Sequence, residues 1–285
     1  LAVRFPGQDG REELGGRRGH TARRRREGSN SQDHGGAAAG AGARQGADPG
    51  LKQKLLRAVA DARAREQELV AVCVDEPADP EGRWHAKDQL AHLAWWRTLS
   101  ALVVESARVG GGSPQRPATD TDEVQNAAIY AETKDLPAAD VKRSAADSWS
   151  ALAAALEASS EADLTKPHPH HPQAQVWEVV PGLGGHLGAH MMSWFLDHGD
   201  PDRAEDVAMW EYQFECSLLP EGAKRSDASY NLACFYARVG RVDEAVPLLR
   251  ESLRFQPSLI EWARKDSDLA GVRDHPEMRE LLQPR

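Results

Sequence analysis

Residues 84–96 read Trp84-His85-Ala86-Lys87-Asp88-Gln89-Leu90-Ala91-His92-Leu93-Ala94-Trp95-Trp96. The spacing predicts a helix from about Trp84 to Arg108, with Ala91, Leu93, Ala94, Leu99 and Leu102 as its core and His92 alone among apolar neighbours. Gly110-Gly111-Gly112-Ser113-Pro114 ends it. Upstream, Leu51, Leu55, Ala58, Ala62 and Leu69 recur at helical spacing, and Asp75-Glu76-Pro77 closes that helix near Cys73. Downstream, a helix starts at Thr121-Asp122-Glu123 with acids in its first turn and runs to about Thr133. Pro137 breaks the chain, and Ala138-Ala139-Asp140 start a longer helix reaching Leu156. After a Pro/His loop, Trp177 to Val180 reads as a short β-like run, and Pro181 opens a helix to about His198. No pair of strands is visible, so the expected class is all-α.

Composition removes whole classes of function. With 285 residues the chain holds two domains, or one plus appendages. No apolar run approaches the ~18 residues of a membrane span, and no leader pattern opens the chain. Three separated cysteines (Cys73, Cys216, Cys234) make neither a disulfide framework nor a CxxC pair, which fits a reducing cytoplasm. The net charge of −9 argues against a nucleic-acid binder. Residues 1–47 are Gly- and Arg-rich, and such a stretch is expected to be a disordered tail. Its run Arg23-Arg24-Arg25-Arg26 reads as an anion patch or, more simply, as solvated charge. The chain opens on Leu1, and its arginine-heavy composition suggests a start assigned upstream of the true one.

His186 and His190 are four residues apart, so on a helix both imidazoles leave one face. That spacing suits two ligands on one divalent ion, with His92 of another helix as the third and a fourth position open. The alternative is a surface pair plus one core histidine bonded to a carbonyl. Gly182, Gly184, Gly185 and Gly188 share the same helix, each costing about 1 kcal/mol relative to Ala. Close packing or a metal must stabilise that helix, or its first turn is loop.

The segment Trp84 to Trp96 resembles the W-x-x-K-D-x-L-A-H-L-x-x-W stretch of the DinB-like superfamily, and is most similar to its ClbS/DfsB-like branch. Asp122-Glu123-Val124-Gln125-Asn126-Ala127 resembles that branch's D-x-V-D-x-x-N-A segment, and His186 to Leu196 its H-x-x-x-H…W-L ending. The resemblance covers about residues 50–200. It implies a four-helix bundle with a crossover, in which His92, His186 and His190 ligate zinc, nickel or a similar ion. It further implies a thiol-dependent transferase or isomerase, or a hydrolase, acting on a small electrophilic substrate, with a low-molecular-weight thiol as a cofactor.

Other residues carry weaker signals. Asp88 and Trp96 flank His92 at four residues on either side, and Asp88 reads as an orienting or proton-shuttling acid or as a helix cap. Asn126 and Tyr130, another i,i+4 pair, are candidates to line the pocket with Trp96 or to serve packing alone. No nucleophile stands out: Cys73 and Cys234 read as core, and no G-x-S-x-G elbow occurs. His168, His170 and His171 alternate with prolines, which keeps them off one helix face. From Ser226, Tyr230-Asn231-Leu232-Ala233-Cys234-Phe235-Tyr236 and Gly240 to Pro257 resemble a single tetratricopeptide repeat. A lone repeat must bury its other face on the bundle, a second copy or a partner protein. The expected organisation is therefore a tail (1–47), a bundle (48–200) and a tetratricopeptide-like helical module (201–285). Two functions fit: a metal-dependent enzyme with an accessory repeat, or a scaffold whose repeat recruits a partner.

Overall fold

The computed structural model describes residues 50–77, 79, 83–111, 122–222 and 225–283. The N-terminal tail with its arginine run, Thr121, and the Gly112-Ser113-Pro114 part of the predicted stop lie outside them. The helices are α1 (Leu51–Val72), α2 (Ala86–Val109), α3 (Asp122–Thr133), α4 (Ala138–Ala158), α5 (Glu161–Leu164), α6 (Val179–Asp197), α7 (Pro201–Leu218), α8 (Ser226–Arg238), α9 (Val242–Phe255), α10 (Leu259–Ala263) and α11 (Pro276–Leu281). Among the described residues there is no strand beyond an isolated bridge between Pro167 and Gln175, so the fold is all-α. No helix among them is long and apolar enough to cross a membrane.

Helices α1, α2, α4 and α6 form the bundle, with α3 laid on α2. On α1 the stripe Leu55, Ala58, Ala62 and Leu69 is buried as the spacing predicts, but the step between Ala62 and Leu69 is taken by Glu66. On α2 the buried face runs Leu90, Leu93, Ala94, Arg97, Ala101 and Val104. Leu102, expected in the core, is 52% exposed, because Arg97 and not Leu99 or Leu102 continues the inward face. The α2 helix stops where Gly110 turns left-handed at φ 70°. Lys52 Nζ donates to the carbonyls of Glu157 (2.5 Å) and Ser159 (2.9 Å), capping the end of α4 with the start of α1.

The β-like reading of Trp177 to Val180 is wrong. Val176–Glu178 is a 3₁₀ turn that leads straight into α6, so the helix begins before Pro181. Val176, Trp177 and Val180 are all buried, and a run this short, apolar but for Glu178, has no period by which to tell strand from helix.

The glycines of α6 are explained by α7. A Cβ on Gly184 would stand 2.0 Å from Phe214 Cε1, one on Gly185 2.2 Å from Glu215 Oε1, and one on Gly188 2.5 Å from Glu211 Oε2. Side chains of α7 thus lie directly on the α6 backbone. Gly184→Ala is expected to destabilise by up to about 2 kcal/mol, the overpacking cost of ~1–3 kcal/mol less the helix-propensity gain of ~1 kcal/mol. Gly182, with nothing within 4 Å, should show the gain alone as Gly182→Ala. Urea unfolding of both variants checks this; equal effects at the two sites would refute the packing account.

Helices α8 and α9 form an antiparallel hairpin, and α8 packs on α7. Arg238 Nη1 donates to Ser193 Oγ of α6 at 3.0 Å.

Candidate metal centre

Three helical turns bring the histidines together. His92 leaves the second turn of α2, and His186 and His190 leave α6 on the face opposite its close packing with α7. All three are buried, so they are not a surface pair plus one core histidine. His186 Nε2 lies 2.9 Å from His92 Nε2 and 3.0 Å from His190 Nε2. Burial drives the rings neutral: desolvation lowers His92 to about 2, helped by His186, and His186 to about 3, helped by the Arg97 charge. His190 is held well below its ordinary value by burial, then by the other two rings.

Tautomers decide what such a cluster can hold. Gln89 Oε1 accepts from His190 Nδ1, so that nitrogen carries the hydrogen and Nε2 is left as a bare lone pair. If His186 Nε2 carries its own hydrogen, it can direct it at one neighbour only. At least one of the two close contacts therefore has no hydrogen bond across it. A cation among the three nitrogens removes that conflict, and donor atoms about 3.3 Å apart are what ~2.0 Å ligand bonds require in a tetrahedron. The donor set fits a borderline divalent ion. The group His92, His186, His190 could hold one, its ligand atoms all lying within 4.8 Å of one another.

Aromatic rings enclose the centre. Trp84 stacks between His190 (6.2 Å between centroids) and Tyr130 (5.8 Å), and its ring also lies 5.1 Å from that of His92. Trp96 meets His92 and His186 edge-on, and its Nε1 donates to Asn126 Oδ1 at 3.1 Å. Of the residues expected around the pocket, Trp96, Asn126 and Tyr130 are thus brought to it. Asp88 is engaged at the start of α2, where its Oδ2 accepts from the His85 backbone N–H at 3.0 Å and completes a capping box. Desolvation raises its carboxyl above the ordinary value. Trp84 and Gln89 have no role in the sequence reading, although Gln89 precedes His92 by one turn and shares its face.

Beneath His186 lies a charged core. Arg97 forks onto Glu66 (Nη1 to Oε1 2.7 Å, Nη2 to Oε2 3.3 Å), donates to Ser148 Oγ at 2.9 Å and covers the Trp149 ring at 3.8 Å. Trp149 Nε1 completes the network by donating to Glu66 Oε2 at 2.7 Å.

The other histidine cluster is a turn, in which His168 Nδ1 accepts from the backbone N–H groups of His170 and His171. Cys234 is buried as expected, yet its thiol faces a carboxylate and not apolar groups alone. Asp266 Oδ2 accepts from Tyr230 (2.8 Å) and Trp262 (3.1 Å) and contacts that thiol. Burial first, then Asp266 and Asp268, push the thiol well up, so Cys234 stays protonated. Although Cys234, Asp266 and Asp268 lie close enough to hold an ion, the hydrogen bonds already satisfy Asp266.

A family model described as the DinB superfamily matches residues 49–193, from the start of α1 through the histidine pair of α6. No curated protein and no solved structure matches the chain.

Proposed function

This chain belongs to the DinB superfamily, and we propose that it is a metal-dependent enzyme acting on a small electrophilic molecule, of the thiol-dependent transferase or isomerase type or the hydrolase type. The observation that carries the reading is the meeting of three neutral imidazole nitrogens at 2.9 and 3.0 Å inside the bundle. His92, His186 and His190 would hold the ion, zinc or nickel by the chemistry of the donors. Such an ion polarises a carbonyl or makes a thiolate or hydroxide available at neutral pH.

The chain's own residues have separate tasks. Gln89 fixes the His190 tautomer that presents Nε2 inward. Trp84 and Trp96 keep bulk water off the centre, and Asn126 orients Trp96. The Tyr130 phenol, raised chiefly by burial and then by the Asp88 and Asp135 carboxylates, stays protonated and offers an O–H. Within the superfamily, the Trp84 to Trp96 stretch supports the ClbS/DfsB-like branch, whose members lend the thiol and the electrophile to this reading. The α8–α9 hairpin supports the tetratricopeptide-like reading of the module after residue 200. Its packing on α7 and its link to α6 favour an accessory role on its own chain over recruitment of a partner.

Elemental analysis of the purified full-length protein, beside thiol-dependent consumption of an α-haloketone, tests the function. Gln89→Leu should weaken metal binding by roughly 10–100-fold, the usual cost of losing the hydrogen bond that orients a ligand. Metal-free wild type without such turnover would instead support a scaffold.

A further inference from the structure

Two acids buried behind the metal-bearing helix take no part in this chemistry. Glu211 and Glu215 stand one turn apart on one face of α7 and are 3% and 6% exposed. Both reach the same spot on α6: a Cβ on Gly185 would lie 2.2 Å from Glu215 Oε1 and 3.8 Å from Glu211 Oε1. The groups facing them are few. Here α6 offers Gly185 and Gly188, while α8 offers the Asn231 amide, which donates to Glu211 Oε1 at 2.9 Å, and the Asp227 carboxylate. The polar links from α7 to α1, Arg65 to Asp206 and Trp210 to Asp61, involve other residues of α7. Among the described residues no Lys or Arg forms an ion pair with either acid.

Two carboxyls this close and this dry cannot both carry charge without a cation. We propose that Glu211 and Glu215 share a proton and so form a latch that fastens the C-terminal helices to the back of α6, and that the latch slackens when the proton is lost in mildly alkaline solution. A shared proton lets one acid donate to the other while Asn231 donates to Glu211. With both ionised, like charges one helical turn apart repel in a medium that screens them poorly.

The direction of the effect follows from linkage. Desolvation raises Glu211 to about 8, and raises Glu215 well above its ordinary value with help from Glu211 and Asp227. Acids raised on folding give stability that is full below the unfolded value of ~4.3 and is lost as pH climbs through the folded value. The buried histidines act with the opposite sign, and their contribution is complete only from about pH 7.5, a unit above their unfolded value of ~6.5. Between about pH 7.5 and about pH 8.5 the acid pair therefore sets most of the slope, the thiols of Cys73, Cys216 and Cys234, also raised by burial, adding to it at the upper end.

The experiment follows urea midpoints and amide hydrogen exchange of the full-length protein across that window, for wild type, Glu211→Gln, Glu215→Gln and the double variant. Wild type should lose midpoint steadily, and the α7–α8 opening equilibrium should rise by up to ~10-fold per pH unit per group, after correction for intrinsic exchange. Glutamine cannot ionise, so the double variant should lose most of the slope. A flat wild-type profile, an undiminished slope in the double variant, or protection lost first in α1–α4 would overturn the latch. Should the double variant not fold, the wild-type exchange map still decides: loss concentrated in α7–α8 supports it, and uniform loss refutes it.

Discussion

After dialysis into metal-free buffer, wild-type protein is expected to keep about one divalent ion per chain. His92→Ala, His186→Ala and His190→Ala should each keep almost none. A structural divalent site gains roughly 10–16 kcal/mol, so one of three imidazoles lost costs about 3–5 kcal/mol, or roughly 10²–10⁴-fold in affinity. The fold should survive the change, because Leu90, Leu93, Leu187 and Met191 fill the same helices around the centre. Circular dichroism therefore stays close to wild type while elemental analysis falls. Alanine at His168, His170 or His171 should leave the metal in place, since that turn directs the His168 ring nitrogen at backbone N–H groups. Retention of the full complement by His92→Ala would break the proposed centre.

The largest loss of stability is expected one layer deeper, at Arg97→Met. The guanidinium and Glu66 are 2% and 1% exposed, and Met of similar length leaves the carboxylate buried with only Trp149 Nε1 to donate to it. Breaking a buried pair from one side costs about 3–5 kcal/mol. For a domain of this size that lowers the melting temperature by roughly 10 °C. Adding Glu66→Leu should recover most of the loss, because a pair replaced as a whole no longer strands a charge. If Arg97→Met alone costs under about 1 kcal/mol, the network is not holding α1, α2 and α4 together as described.

What the sequence tells and what it withholds follow the reach of the forces involved. Helices α1, α2 and α4 are legible because each has a polar face in water that marks the period. The joining of His186 with His190 is legible too, since i,i+4 is local geometry. The third ligand came from His92 standing alone in an apolar helix and from the family likeness. Glu66 and Arg97 are not legible: each reads as a solvated charge until its partner on another helix is known. Trp84 lies just before its helix, where no period applies, and Gln89 gains its role only when α6 lies opposite. The α6 glycines announce that something must come close, but only α7 shows that Phe214, Glu211 and Glu215 are what comes.

The α6 helix, with ligands on one side and bare backbone on the other, means that the unit of inheritance and the unit of folding differ. The family match ends at residue 193, yet the cover for Gly184, Gly185 and Gly188 is encoded after residue 200. A recombination joint placed between those points would pass on the histidines without the side chains that shelter their helix. The exposed glycines would then weigh against it by about 1 kcal/mol each. Transplanting this centre into another protein therefore requires carrying α7 along with it.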